Sequence, residues 1–182
     1  MKLIDVYKEA LATITSYCET HKNISFLDIG ADEPQPFILE CVSSYDIDYK
    51  VMEYDNNING TYVMNGDICY CSHIPDESYD IVYSHNVFEH ITTPWLAAEQ
   101  CVRINKIGGL NIHIAPFAYD YHKCPGDYFR YTPSGFKSMF EFSCNMNELM
   151  SGFNTGKVAC NANQKVGRWL VMYIGMKRDV SK

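Results

Sequence analysis

The chain lacks an excess of positive charge. Its 182 residues carry 15 Lys and Arg against 22 Asp and Glu, a net charge of −7, and its isoelectric point is about 5.3. A non-specific nucleic-acid binder presents a basic face to the phosphates, so no nucleic-acid partner is expected. Long hydrophobic runs are also missing. The N-terminus, MKLIDVYKEALATITSY, has no apolar core and reads as neither a signal peptide nor a membrane span. No membrane partner follows. Repeats and low-complexity tracts are absent. Metal-ligand spacing is absent too. Of the eight cysteines only Cys69 and Cys71 are close, with no second pair and no histidine pair at zinc spacing. No metal site is expected, and the scattered thiols read as reduced, partly buried side chains of a cytoplasmic protein.

What is present is ordinary globular material, 47% hydrophobic and 20% charged. The length suits one domain spanning residues 1–182, with an N-terminal helix in 1–22 and a core in 23–182. Within Lys2 to Thr20 the residues Leu3, Val6, Tyr7, Ala10, Leu11, Ile14 and Tyr17 recur at helical spacing. The chain is organised around ISFLDIGADEP, Ile24 to Pro34. The apolar run Ile24, Phe26, Leu27, Ile29 is too short for a helix and suits a strand covered on both faces. Gly30 follows at once, where a backbone must bend and let a ligand approach. Pro34 and Pro36 suit the first turn of a helix, read from about Pro36 to Ser43. Strand, glycine turn and helix N-terminus together make a nucleotide-type site.

Further strands are expected at Tyr49 to Tyr54, Thr61 to Met64, Tyr79 to Tyr83, Leu110 to Ala115 and Gly167 to Met176. Met146 to Phe153 reads as a strand or a loop. Asn154 to Lys165 is polar and rich in Gly and Asn, hence a turn or a mobile segment. A helix spans Pro94 to Ile104, with Asn105 to Gly109 as its C-terminal turn and a glycine at the left-handed cap. Thr132-Pro133 caps a helix reaching about Phe142. An acidic residue at the end of the second strand accepts from ribose hydroxyls in such units. Glu53 and Asp55, either side of Tyr54, both have the spacing, and Glu53 directly follows the apolar run. Ser84, His85 and Asn86 end the fourth strand, where open α/β sheets place ligands. His113 lies inside a strand and reads as a satisfied interior histidine.

Several of these stretches resemble motifs of the class I S-adenosylmethionine (SAM) dependent methyltransferases, of the small single-domain, type 11-like kind. Asp28-Ile29-Gly30-Ala31 stands where the family has its acidic-x-Gly-x-Gly-x-Gly motif, with only the first glycine kept. Gly66-Asp67-Ile68, the run from His73 to Ile91 with its Glu89-His90 pair, and Gly108-Gly109 fall at the family's places in order. The loop Pro116 to Phe136 is similar to a subset carrying His-x-x-Pro-x-Asp-Tyr-x-Arg, matched here by His122, Pro125, Asp127, Tyr128 and Arg130.

The resemblance implies a Rossmann-like, doubly wound α/β sheet of seven strands, mostly parallel with a C-terminal antiparallel strand. It implies SAM as cofactor and S-adenosylhomocysteine as product. Asp28, Gly30 and Ala31 would then border the methionine part. Glu53, Tyr54 or Asp55 would meet the ribose, and Asp67 and Ile68 the adenine. His85 and Asn86 would border the transfer site. Glu89, His90 and His122 are the catalytic candidates, with His122 as base toward a hydroxyl or amine. Glu89 and His90 can equally brace and pack. Asp127 and Arg130 either hold the loop together or leave Arg130 for an anionic group. The acceptor class is a small molecule, possibly a sugar of a surface glycan or another metabolite, and the oligomeric state is left open. Loss of two glycines beside Asp32 and Glu33 leaves an alternative, a catalytically inactive binding or scaffold protein on the same fold. A nucleotide-dependent oxidoreductase is disfavoured, because the glycine fingerprint and a substrate domain are both missing.

Overall fold

The computed structural model describes residues 3–31, 33–54, 63–123, 126–141, 145–154, 158–159, 165–166 and 169–180. Ten strands lie among them: β1 Leu3–Ile4, β2 Ile24–Ile29, β3 Ile47–Glu53, β4 Val63–Asn65, β5 Tyr79–His85, β6 Asn105–Pro116, β7 Met146–Asn154, β8 Val158–Ala159, β9 Lys165–Val166 and β10 Leu170–Lys177. Four helices accompany them: α1 Val6–Thr20, α2 Pro36–Val42, α3 Pro94–Ile104 and α4 Pro133–Glu141. Short 3-10 turns cover Ile68–Tyr70 and Phe88–His90.

The main sheet runs β1-β7-β10-β6-β5-β2-β3-β4. β10 is antiparallel to both its neighbours and the other pairings are parallel. This is the expected mixed α/β sheet, with a two-residue edge strand added at Leu3. Strand alternation divides the core between two faces. Leu27, Ile29 and Val82 join Ala97, Ala98, Cys101, Phe136 and Phe140 under α3 and α4. Ile24, Phe26, Ile81 and Tyr83 join Val6, Ala10, Ile14, Ile38 and Val42 under α1 and α2. That two-sided burial is why β2 and β5 read as continuous apolar runs.

Three expectations need correction. The first helix starts at Val6 rather than Lys2, because the Asp5 carboxylate accepts from Lys8 N at 3.2 Å and caps it there. Asn105 to Gly109 do not form a helix C-cap. α3 stops at Ile104, Asn105 is extended, and Gly108 takes its left-handed φ of +79° within β6. Pairing with β5 jumps there from Tyr79–Asn105 to Ile81–Leu110. A Cβ on Gly109 would lie 2.6 Å from the Asp80 carbonyl oxygen, which explains the second glycine. Asp80 itself is structural. It accepts from Ser25 N at 2.8 Å, Ser25 Oγ at 2.6 Å and Lys106 Nζ at 2.7 Å, at the edge of the sheet away from the ligand site. The stretch from 154 to 165 contributes β8, which pairs with β9 in a separate antiparallel pair.

Candidate active site

Register brings the candidate residues into one row. Ile29 pairs with Met52 and with Ser84, and Glu53 pairs with Asn65. The carboxyl ends of β2, β3, β4 and β5 therefore lie side by side, with Gly30, Glu53, Asp67 and His85 at or just past them. Gly30 donates to the Met52 carbonyl at 2.7 Å and has φ +75°. A Cβ there would stand 2.5 Å from Val87 Cγ2. Only glycine fills this cradle without strain. Beside it an open cleft of about 440 Å³ is lined by Gly30, Ala31, Glu33 and Gln35.

Asp28 sits one layer below. It is 1% exposed and its Oδ2 accepts from Tyr49 OH at 2.7 Å. Burial pushes its pKa up to about 7, against the opposing pull of the Tyr49 hydrogen bond, and the Tyr49 hydroxyl is itself pushed up. Ala31 is buried, whereas Tyr54 is exposed. Asp55 lies outside the described residues, as do Asp32 and Pro125. Asp67 caps the turn at Ile68–Tyr70 by accepting from Cys69 N at 2.8 Å. Ile68 belongs to the core beside Met52.

His85 touches a residue that sequence reasoning did not assign to the site. Its Nε2 is 3.0 Å from Tyr7 OH, and the two rings meet edge to face at 5.3 Å. Burial pushes the His85 pKa down to about 4, so it is a neutral imidazole. Only the position of Tyr7 on the apolar stripe of α1 hinted at this. Asn86 follows with φ +55°, its N–H on the Ile114 carbonyl. His113 is an interior residue, 0% exposed, held by Ser84 Oγ at 2.8 Å and Asn111 Oδ1 at 3.1 Å.

The second half of the site is the loop after β6. Tyr128 N and Phe129 N donate to the Glu89 carbonyl at 2.7 and 3.3 Å, and Tyr131 OH donates to the Phe88 carbonyl at 2.8 Å. Arg130 grips both Asp127 oxygens and also donates to the Tyr119 and Asp120 carbonyls. The guanidinium pulls the Asp127 pKa well below the usual carboxylate range. Asp127 Oδ2 then accepts from His122 N at 2.8 Å. Arg130 thus braces the loop, and the loop delivers His122 to Glu89 and His90. The His90 and His122 rings are 5.0 Å apart, perpendicular. His90 Nε2 is 3.7 Å from Glu89 Oε1. One potential ligand atom of each of the three residues lies within 4.8 Å of the others. No metal-ligand spacing in the sequence announces this cluster, because His122 lies 32 positions after His90.

A family model described as a methyltransferase domain matches residues 32–112. No curated protein matches the sequence. Among solved structures, a chain of the complex between the Haloferax volcanii Trm112 methyltransferase activator and a protein described as a methyltransferase superposes with a TM-score of 0.70 at 14% identity, covering 97% of this chain and 90% of that one. A Galdieria sulphuraria protein described as a sarcosine dimethylglycine methyltransferase gives 0.69 at 14% identity, with coverage of 94% and 85%. A SAM-dependent methyltransferase from Archaeoglobus fulgidus gives 0.66 at 16% identity, with coverage of 93% and 94%. The chain has the class I SAM-dependent methyltransferase fold. Within that methyltransferase fold the row Gly30, Glu53, Asp67 lies at the carboxyl edge that open α/β sheets use for ligands. Among the described residues no helix is long and apolar enough to cross a membrane.

Proposed function

We propose that the protein transfers the methyl group of SAM to a hydroxyl or amine of a small molecule, a sugar being one such acceptor. The observation that carries this reading is the register that lines up Gly30, Glu53 and Asp67 along the carboxyl edge of the sheet, with an open cleft at Gly30. The residues fit the cofactor. A glycine cradle that a Cβ would fill admits the methionine part closely, with Ala31 and Asp28 behind it. Glu53 or Asp55 accepts from the ribose hydroxyls. Asp67 accepts from the adenine amine, with Ile68 packed beneath the ring. SAM, when bound, supplies a methyl group already electrophilic on its sulfonium. The chain's own task is to orient the acceptor and take its proton.

His122 is the base in this reading. Its Nδ1 faces the Asp120 carbonyl at 3.2 Å and Asp127 at 3.4 Å, an arrangement that keeps the proton on Nδ1 and the lone pair on Nε2. The exposed rings of Tyr119 and Tyr128 offer flat surfaces for a sugar or other small acceptor. The acidic charge disfavours nucleic acid, and the free cysteines 18, 41, 69 and 71 suit a reducing cytoplasm.

One observation favours the inactive scaffold instead. Glu33 lines the cleft beside Gly30, and its charge would repel the SAM carboxylate. Calorimetric titration with SAM and S-adenosylhomocysteine separates the two readings. Saturable binding that Gly30→Val abolishes and Asp67→Ala weakens is the expected result. No binding to folded protein at millimolar ligand overturns the enzyme reading.

A further inference from the structure

Glu89 presents a problem that methyl transfer does not solve. Its side chain is 0% exposed, and neither carboxylate oxygen has a hydrogen-bond partner among the described residues. A desolvated carboxylate without a partner is costly. Arg130, the nearby guanidinium, is committed to Asp127 and to backbone carbonyls. What faces Glu89 is the pair of imidazoles of His90 and His122.

Both rings are held in the orientation that a metal ligand needs. His90 Nδ1 sits on the Gly126 carbonyl oxygen, which accepts a proton and donates none. That fixes the hydrogen on Nδ1 and leaves the Nε2 lone pair, 3.7 Å from Glu89 Oε1. His122 is fixed in the same sense by the Asp120 carbonyl at 3.2 Å, with the Asp127 carboxylate at 3.4 Å. Carbonyl and carboxylate partners on the far nitrogen are the usual second layer of a metal-bound histidine.

We propose that Glu89, His90 and His122 bind one divalent transition-metal ion of the zinc type through two imidazole nitrogens and a carboxylate. Two nitrogens and one oxygen form a donor set suited to Zn²⁺ or Fe²⁺ and poorly suited to Mg²⁺. With bonds of roughly 2.0–2.2 Å, the ligand atoms stand roughly 3–3.5 Å apart. The 3.7 Å approach of His90 to Glu89 nearly meets this, and the three ligand atoms, all within 4.8 Å of one another, draw together by about 1 Å on the ion. Three protein ligands leave a coordination position open to water or to an acceptor oxygen. In the metal-bound protein His122 is a ligand rather than a base. This replaces the base role given to His122 under the proposed function, while the SAM-binding residues are untouched, and ion binding is read without SAM.

The test uses the full chain, stripped with chelator and titrated with Zn²⁺, Co²⁺ and Mg²⁺ without SAM. The expected result is one Zn²⁺ or Co²⁺ per chain and no saturable Mg²⁺ binding. His122→Ala and Glu89→Gln should weaken Zn²⁺ at least about tenfold, while His73→Ala, at an exposed histidine outside the cluster, leaves it unchanged. The Co²⁺ spectrum should show ligand-field bands without thiolate charge transfer, which separates this site from the cysteines. His122 is half-buried and its removal leaves the core intact, so circular dichroism of that variant should match the wild type. No saturable Zn²⁺ binding, unchanged affinity in His122→Ala, or a thiolate band would overturn the proposal.

Discussion

At the residue scale, Asp28 converts burial into a pH dependence. Its pKa is about 7 in the folded chain, against about 3.9 when unfolded. Between those values the folded state holds a proton that the unfolded state has lost, so stability falls as pH rises. The contribution is complete below about pH 4 and is lost as pH climbs through 7, with a slope of up to about 1.4 kcal/mol per pH unit. Urea unfolding of wild type and Asp28→Asn at pH 5, 6, 7 and 8 checks this, and the variant should show a flatter profile. Gly30 makes a sharper prediction. Valine there meets Val87 at 2.5 Å on a backbone with φ +75°, a strain on the order of 1–3 kcal/mol. Thermal unfolding should drop accordingly, together with the loss of SAM binding.

At the element scale, two braces do different work, and one substitution in each tells them apart. Asp80 ties the amino end of β5 to Ser25 of β2 and to Lys106. Asp80→Ala leaves Ser25 N without its acceptor, a loss of about 1–3 kcal/mol, but the residue is remote from the cleft. SAM affinity should stay within about twofold, a difference of roughly 0.4 kcal/mol. Asp127 instead holds the loop between β6 and α4. Asp127→Ala frees Arg130 and the His122 amide together, so hydrogen exchange should accelerate across residues 117–131 while β2 and β5 keep their protection. The same contrast shows what the chain made legible. Strand and helix positions were readable because two-sided burial makes β2 and β5 short apolar runs, while one-sided burial imposes a helical period on α1 and α3. The start of α1 was misplaced because the apolar stripe includes Leu3, which belongs to β1 instead. The turn at Asn105 was misread because glycine reports a left-handed φ but not which element contains it. Glu89, His90 and His122 were each picked out as catalytic candidates through the family resemblance, but their meeting as one donor set was not legible, since it is assembled by a loop braced by Arg130 and Tyr131.

At the scale of the whole molecule, the sheet is assembled out of chain order. β10 lies between β6 and β7 and pairs with both along Leu170 to Lys177. During synthesis β6 and β7 therefore leave the ribosome before the strand that joins them exists. Until then β6 carries an open edge on one side, and β7 has only the two residues of β1 to pair with. Exposed edges of that kind recruit other chains. A stop codon after Trp169 should yield insoluble protein rather than a weakened enzyme, and sedimentation of expressed lysates would show it. A nascent-chain experiment should likewise find protease resistance arising in one late step, once Lys177 clears the exit tunnel. Completion of this sheet thus waits for β10, and chaperones that shield open strand edges would act on the chain until that strand emerges.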